Sequence, residues 1–171
     1  MAQSAELAHM VVKGIFTHFA KANEYDKTFT KEQIQKFRKM NNSATTRAIT
    51  KIALEYNGND KGTAEMVASN YLLSSTTEGQ FLEMKTVADR NSKVKKWALT
   101  GYISQPDEIG RKLTDLEFSV IATKALEKIG VSDKNQFRLD IHNSTKQKHI
   151  HFIVNRIDIS GKCTVKSHDI G

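Results

Sequence analysis

The sequence predicts an α+β fold, an antiparallel sheet covered by helices. Three observations carry that expectation. QFRLDIH and KHIHFIVNRID are strand-like apolar runs joined by the polar stretch NSTKQK, the pattern of an antiparallel hairpin. DLEFSVIATKALEKIG has helical spacing, with Leu116, Ile121, Ala125 and Ile129 near one face and Gly130 at its stop. KKWALTGYISQ reads as a further strand, closed by a Pro-Asp turn.

The other elements follow in order. HMVVKGIFTHF is a short strand, and KEQIQKFRKM a lysine-rich helix with Ile34, Phe37 and Met40 on one side. NNSATTRAITKIALEYNGNDKG follows the helix rules. Asn and Ser precede the run as caps, Ile49, Ile52, Ala53 and Tyr56 recur at helical intervals, and NGNDKG ends it. TAEMVASNYLL fits a short strand or a helical turn. TEGQFLEMKTVADRN is helical; after the hairpin come the turn ISGK and a last short strand at CTVKS.

The chain has 171 residues, enough for one domain with a real core. Residues 1–9 are a candidate leader or tag. Lys and Arg number 26 against 19 Asp and Glu, a net charge of +7 that favours a polyanionic partner. The single cysteine, Cys163, excludes an internal disulfide and fits a reducing cytoplasm. No apolar run approaches the ~18 residues of a membrane span.

The chemistry concentrates at the hairpin. Strand side chains alternate, so His149, His151, Ile153 and Asn155 share one face, while Ile150, Phe152 and Val154 share the other. The two imidazoles lie about 6.6–7 Å apart along the strand and can converge on one ion. A hairpin returns His142 to their side. Three imidazoles without a fourth ligand suggest a metal centre left open for substrate or water. Such a centre polarises a carbonyl or phosphoryl oxygen, and the basic composition tilts the choice to phosphoryl chemistry. Tyr56, at the end of its helix before a glycine-rich turn, is the candidate nucleophile. Its place on the apolar stripe with Ile49, Ile52 and Ala53, taken alone, favours a core tyrosine with its hydroxyl at the edge.

The combination resembles the relaxases, or mobilization nucleases, of the HUH endonuclease superfamily. DIHNSTKQKHIHFIVNRIDISGK, with His142, His149, His151 and Asn155, matches the family's intervals. KLTDLEFSVIATKALEKIGVSDKNQF resembles the helix before them, and IALEYNGNDKGTAEMVASN the tyrosine motif. The order fits too, since in relaxases the tyrosine precedes the histidines. Two places depart: Ser144 stands where the family commonly has an aspartate, and Gln147-Lys148 where it often has His-Pro. The long stretch from Met10 to Ser43 makes Tyr25 and Tyr71 reserve nucleophiles.

The resemblance implies strand-specific nicking at a plasmid or mobile-element origin of transfer, through a 5′-phosphotyrosine formed on Tyr56. His142, His149 and His151 would hold Mg²⁺ or Mn²⁺, with Zn²⁺ as a further option. Asn155 would order a histidine or touch DNA; Asp140, on the face of His142, either supports an imidazole or, the slightly favoured reading, is an ordinary exposed strand carboxylate. Arg47, Lys51 and Arg156, near these motifs, and Lys95 and Lys96 of SKVKK are candidate phosphate contacts, although such residues are more often solvated surface charges. Trp97 is a candidate to stack bases but starts an apolar strand, which favours the core. The expected partners are single-stranded or supercoiled origin DNA, an accessory DNA-binding protein and a secretion coupling protein, in a bacterial cytoplasm. Relaxases often continue into another domain, so residues 1–171 read as one nuclease domain, either short or lacking a C-terminal domain. Two rivals differ in class. A three-histidine zinc hydrolase of a small substrate would not need Tyr56, and a non-enzymatic basic DNA-binding module would leave the histidines as coincidence.

Overall fold

The computed structural model describes residues 41–106, 110–143 and 147–166. All belong to the unit Met40–Gly171. The expectations for HMVVKGIFTHF and KEQIQKFRKM, for Tyr25, for Ser144 and for residues 1–9 lie outside the described residues.

Within that unit the fold is α+β, as the sequence predicts. The strands are β1 (Asn41–Arg47), β2 (Glu65–Asn70), β3 (Ala98–Ser104), β4 (Asn135–His142) and β5 (His149–Asp158). They form one sheet in the order β1-β3-β5-β4-β2, and every neighbouring pair is antiparallel. Among the described residues the named helices are α1 (Lys51–Asn57), α2 (Thr77–Ala88) and α3 (Asp115–Lys128). The histidine hairpin therefore lies on the central strand and its neighbour.

β1 corrects the sequence reading. NNSATTR is not the start of a helix but an edge strand, paired from Asn41↔Ser104 to Arg47↔Ala98. Thr45 and Thr46 are β-branched, and Ser43, Thr45 and Arg47 are exposed while Ala44 and Thr46 are half-buried, the period of a strand. Gly101 of β3 lets this edge come close. A Cβ there would lie 1.8 Å from the Ser43 carbonyl and 2.7 Å from the Phe152 ring. Helix α1 begins only at Lys51, after Thr50 in an extended conformation. Two turns are marginal alone; burial of Leu54, with Ile49 ahead of it, anchors them to the core. The expected apolar stripe is divided: Ile49 and Ala53 pack inward, whereas Ile52 is 66% and Tyr56 69% exposed.

The ambiguous segment TAEMVASN resolves as strand β2, paired with β4 and bulged between Met66 and Ala68. Thr76 caps α2 by accepting from the Gly79 N–H at 3.1 Å. Met84, Val87 and Ala88 of this helix bury against Leu54, Trp97, Ile153 and Ile157. α2 and α1 thus cover the face that carries the odd-numbered residues of β5. The even-numbered Ile150, Phe152 and Val154 are buried as well. α3, which contacts β5 and β2, buries Phe118, Ala122 and Leu126. Its inward face is not the expected one, since Leu116 is 59% exposed. The residues at i, i+4 and i+8 from Phe118 make the stripe instead. A capping box between Thr114 and Glu117 starts the helix, and Gly130 at φ 93° ends it.

After β5 the turn forms as expected, with Gly161 at φ 88°. Of the expected strand CTVKS, the described residues 163–166 form one isolated bridge, Ile157↔Cys163, and no named strand. Side chains hold it: Thr164 Oγ1 accepts from the Asn135 amide at 2.8 Å, and the Arg156 Nε donates to the Val165 carbonyl at 2.8 Å.

Candidate metal centre

The β4–β5 register sets His142 opposite His149 and Asp140 opposite His151. All three histidines then lie on one face. Their ring centroids are 5.2 Å (His142–His149), 4.4 Å (His142–His151) and 4.9 Å (His149–His151) apart. One ligand atom from each lies within 4.8 Å of the others. Nitrogens bound at ~2.0–2.1 Å to one ion stand about 3–3.4 Å apart, so modest ring rotations would close the set. The donors fit a divalent cation, with His142 buried and His149 and His151 half-buried at the mouth.

Two backbone carbonyls orient the rings. His149 Nδ1 lies 2.9 Å from the Gln147 carbonyl, and His142 Nε2 lies 2.6 Å from that of Asn57. A carbonyl only accepts, so each of these nitrogens is the donor. Such outer contacts fix tautomer and direction.

Asn57 ends α1, directly after Tyr56. The helix end that presents the tyrosine therefore also holds a histidine of the cluster. The Tyr56 ring stands edge-on to His151, with centroids 6.2 Å apart and planes at 83°. Beside it Gly58 rests on Arg138, where a Cβ would lie 2.6 Å from Nη2. Arg138 Nε donates to both Asp140 oxygens at 2.8 and 2.9 Å, and Nη2 to Oδ1 at 2.7 Å. Its Nη1 donates to Gln80 Oε1 at 2.8 Å. Asp140 has no exposed surface. Burial raises its carboxyl above the ordinary range, opposed by the Arg138 hydrogen bonds and charge and then by His142. Asp140 thus sits beneath the histidines, with its oxygens engaged by Arg138.

The remaining sequence-derived candidates scatter. Asn155 shares the histidine face but is fully buried, its amide donating to the Met84 carbonyl at 2.9 Å and to Gln136 Oε1 at 3.1 Å. It ties α2 to the sheet instead of touching DNA. Arg156 is 7% exposed and its guanidinium is held by the Val165 and Lys96 carbonyls. Trp97 is core, packed beside Phe81, as its place at the start of an apolar strand suggests. Arg47, Lys51, Lys95 and Lys96 are exposed. Arg47 lines an open groove with Thr50, Ile52, Tyr56 and Asn57, and Lys51 stands 4.0 Å from Glu78. Tyr71 follows β2 next to the Phe137 end of β4, about 17 Å along the strand from His142.

Sequence reasoning missed Tyr102. It is the β3 partner of His151, and its ring lies 6.3 Å from His149 and 6.1 Å from His151. Alternation in ALTGYIS groups Thr100, Tyr102 and Ser104 on one face, but only the β3–β5 register shows that this is the histidine face.

A family model described as Relaxase: MobA/VirD2-like, nuclease domain, matches residues 56–171, beginning at Tyr56. That span is most of the chain, and the chain belongs to this family of relaxase nuclease domains. A second model, the N-terminal domain of alanine racemase, matches residues 1–56, ahead of the histidine cluster. No curated protein matches the chain. Among the described residues no helix is long and apolar enough to cross a membrane.

Proposed function

We propose that the chain nicks one DNA strand at an origin of transfer, with Tyr56 as nucleophile and His142, His149 and His151 as the ligands of Mg²⁺ or Mn²⁺. The observation that carries this reading is the approach of an exposed tyrosine to three convergent histidines across one helix end. A bound divalent ion supplies charge neutralisation at a phosphate oxygen. The chain's own residues do the rest. Tyr56 loses its phenolic proton, its oxygen bonds to the scissile phosphorus, and the bond from phosphorus to the 3′-oxygen breaks. That oxygen leaves as a free 3′-hydroxyl after taking a proton. One phosphodiester is exchanged for another, so the strand can be rejoined.

Membership of the relaxase nuclease family and the net charge of +7 support DNA as the partner. Arg47 and Lys51, flanking Tyr56, are the first phosphate contacts in this reading, and Lys95 and Lys96 are more remote ones. The setting is mobilization of a plasmid or mobile element in a bacterial cytoplasm, with accessory and coupling proteins as partners and a single nuclease domain doing the chemistry.

The test is covalent trapping on supercoiled plasmid carrying the DNA that flanks this coding sequence. Protein, plasmid and Mn²⁺ are mixed, denatured in SDS, and the DNA-linked peptide is mapped by mass spectrometry. The expected result is an EDTA-sensitive adduct on Tyr56 that Tyr56→Phe abolishes. Metal-dependent hydrolysis of a small ester that survives Tyr56→Phe, without an adduct, would instead favour the three-histidine hydrolase.

A further inference from the structure

We infer that Tyr102 is a positioning residue of the histidine centre, its ring holding the imidazoles of His149 and His151 side by side. The inference rests on the reading of these histidines as metal ligands.

Each histidine must keep its lone pair aimed at a common point, and an imidazole on a strand has two soft torsions with which to miss it. His142 is turned by the Asn57 carbonyl and His149 by the Gln147 carbonyl. His151 lies between two phenol rings, Tyr56 at 6.2 Å and Tyr102 at 6.1 Å. The two differ in kind. Tyr56 is 69% exposed at the end of a two-turn helix. Tyr102 is half-buried on β3, between the edge strand and the central strand, and registered directly against His151. Its ring also meets His149 nearly edge-on, at 6.3 Å and 79°. The contact with His151 is tilted, at 49°, and aromatic pairs at these separations are favourable and directional. One fixed ring thus restrains both histidines of the His-x-His pair. No bond is made or broken by Tyr102; it acts through the ligands.

The experiment compares Tyr102→Phe and Tyr102→Val with the native chain, using calorimetric titration with Mn²⁺, thermal melting, and NMR of the imidazole side chains without metal. Valine suits a strand, so the fold is expected to survive, and Tyr102→Leu serves as the second variant if it does not. Tyr102→Val should lose roughly tenfold or more in Mn²⁺ affinity, the scale seen when groups that orient metal ligands are removed. Tyr102→Phe should bind within about threefold of native, because the ring and not the hydroxyl does the holding. The His149 and His151 signals should shift or broaden in the valine variant while those of His142 stay in place. Native-like Mn²⁺ affinity in the valine variant would overturn the inference, as would an equal loss in the phenylalanine variant. If the native chain bound no Mn²⁺, the metal reading would fall. The imidazole spectra would then decide for Tyr102, with unchanged His149 and His151 signals overturning its role.

Discussion

Gly58 offers a direct measure of how firmly the tyrosine-bearing turn is seated. Its φ of −82° is open to any residue, so Gly58→Ala strains no torsion. By itself that change would stabilise the chain by about 0.4–1 kcal/mol through a stiffer unfolded state. The obstacle is space. The new methyl would lie 2.6 Å from Arg138 Nη2 and 3.3 Å from the Leu54 carbonyl. An arginine tip normally swings aside at little cost, but here Nε, Nη1 and Nη2 are all engaged by Asp140 or Gln80. Overpacking a filled site costs about 1–3 kcal/mol, so the clash outweighs the entropy gain and leaves a net loss of about 1–2 kcal/mol. For a chain of this size that lowers Tm by roughly 2–8 °C. Because Asn57 and Tyr56 share the turn, the yield of trapped adduct should fall with it. Circular dichroism melts and the trapping assay read both effects. A Tm at or above native with full adduct yield would refute the argument, since it would mean the guanidinium moves freely.

Arg138→Leu should be costlier. It leaves Asp140 buried without its cation, a loss of about 3–5 kcal/mol that urea unfolding would show, and a second change of Asp140 to Asn should recover part of it. Asp158 supplies a pH test. Burial pushes its carboxyl up, but the Ser160 hydroxyl and the Lys162 and Ser160 backbone N–H groups outweigh that and hold it below the ordinary value. Its stabilisation is complete above the unfolded value of about 3.9 and is lost as pH falls through the lower folded value. Asp158→Asn should therefore be less stable than native at pH 7, with the gap closing on acidification below about pH 3.9. A gap that stays constant into acid unfolding would contradict the assignment.

The three-histidine cluster was legible because its determinants are local. A six-residue turn between two alternating runs admits few registers, and one of them faces His142 with His149. Tyr56 was legible as a candidate but not in its exposure, because a helical stripe says which residues are neighbours and not how much of the stripe is covered. β1 was misread for a physical reason. A polar edge strand carries little apolar alternation, and its Asn and Ser imitate helix caps. Arg156 read as surface because a charge on a strand usually is, yet the carbonyls of Val165, nine residues beyond, and Lys96, sixty residues upstream, accept from its guanidinium. Tyr102 and the Gly58–Arg138 contact depend on which strands become neighbours. No local pattern contains that.

The strand order also dictates a sequence of assembly. β1 and β2 are the two opposite edges of the sheet, so the segment joining them must span β3, β5 and β4, and α1 rides on that crossing. The histidines gather as soon as one short hairpin closes. Tyr56 reaches them only when both edges have docked, each on a strand tens of residues away in the chain, and such distant pairings form late. During synthesis the tyrosine leaves the ribosome first, yet it has nothing to face until β4 and β5 follow. A half-folded chain would thus hold the histidine cluster without Tyr56 beside it, so the site is complete only in the finished sheet.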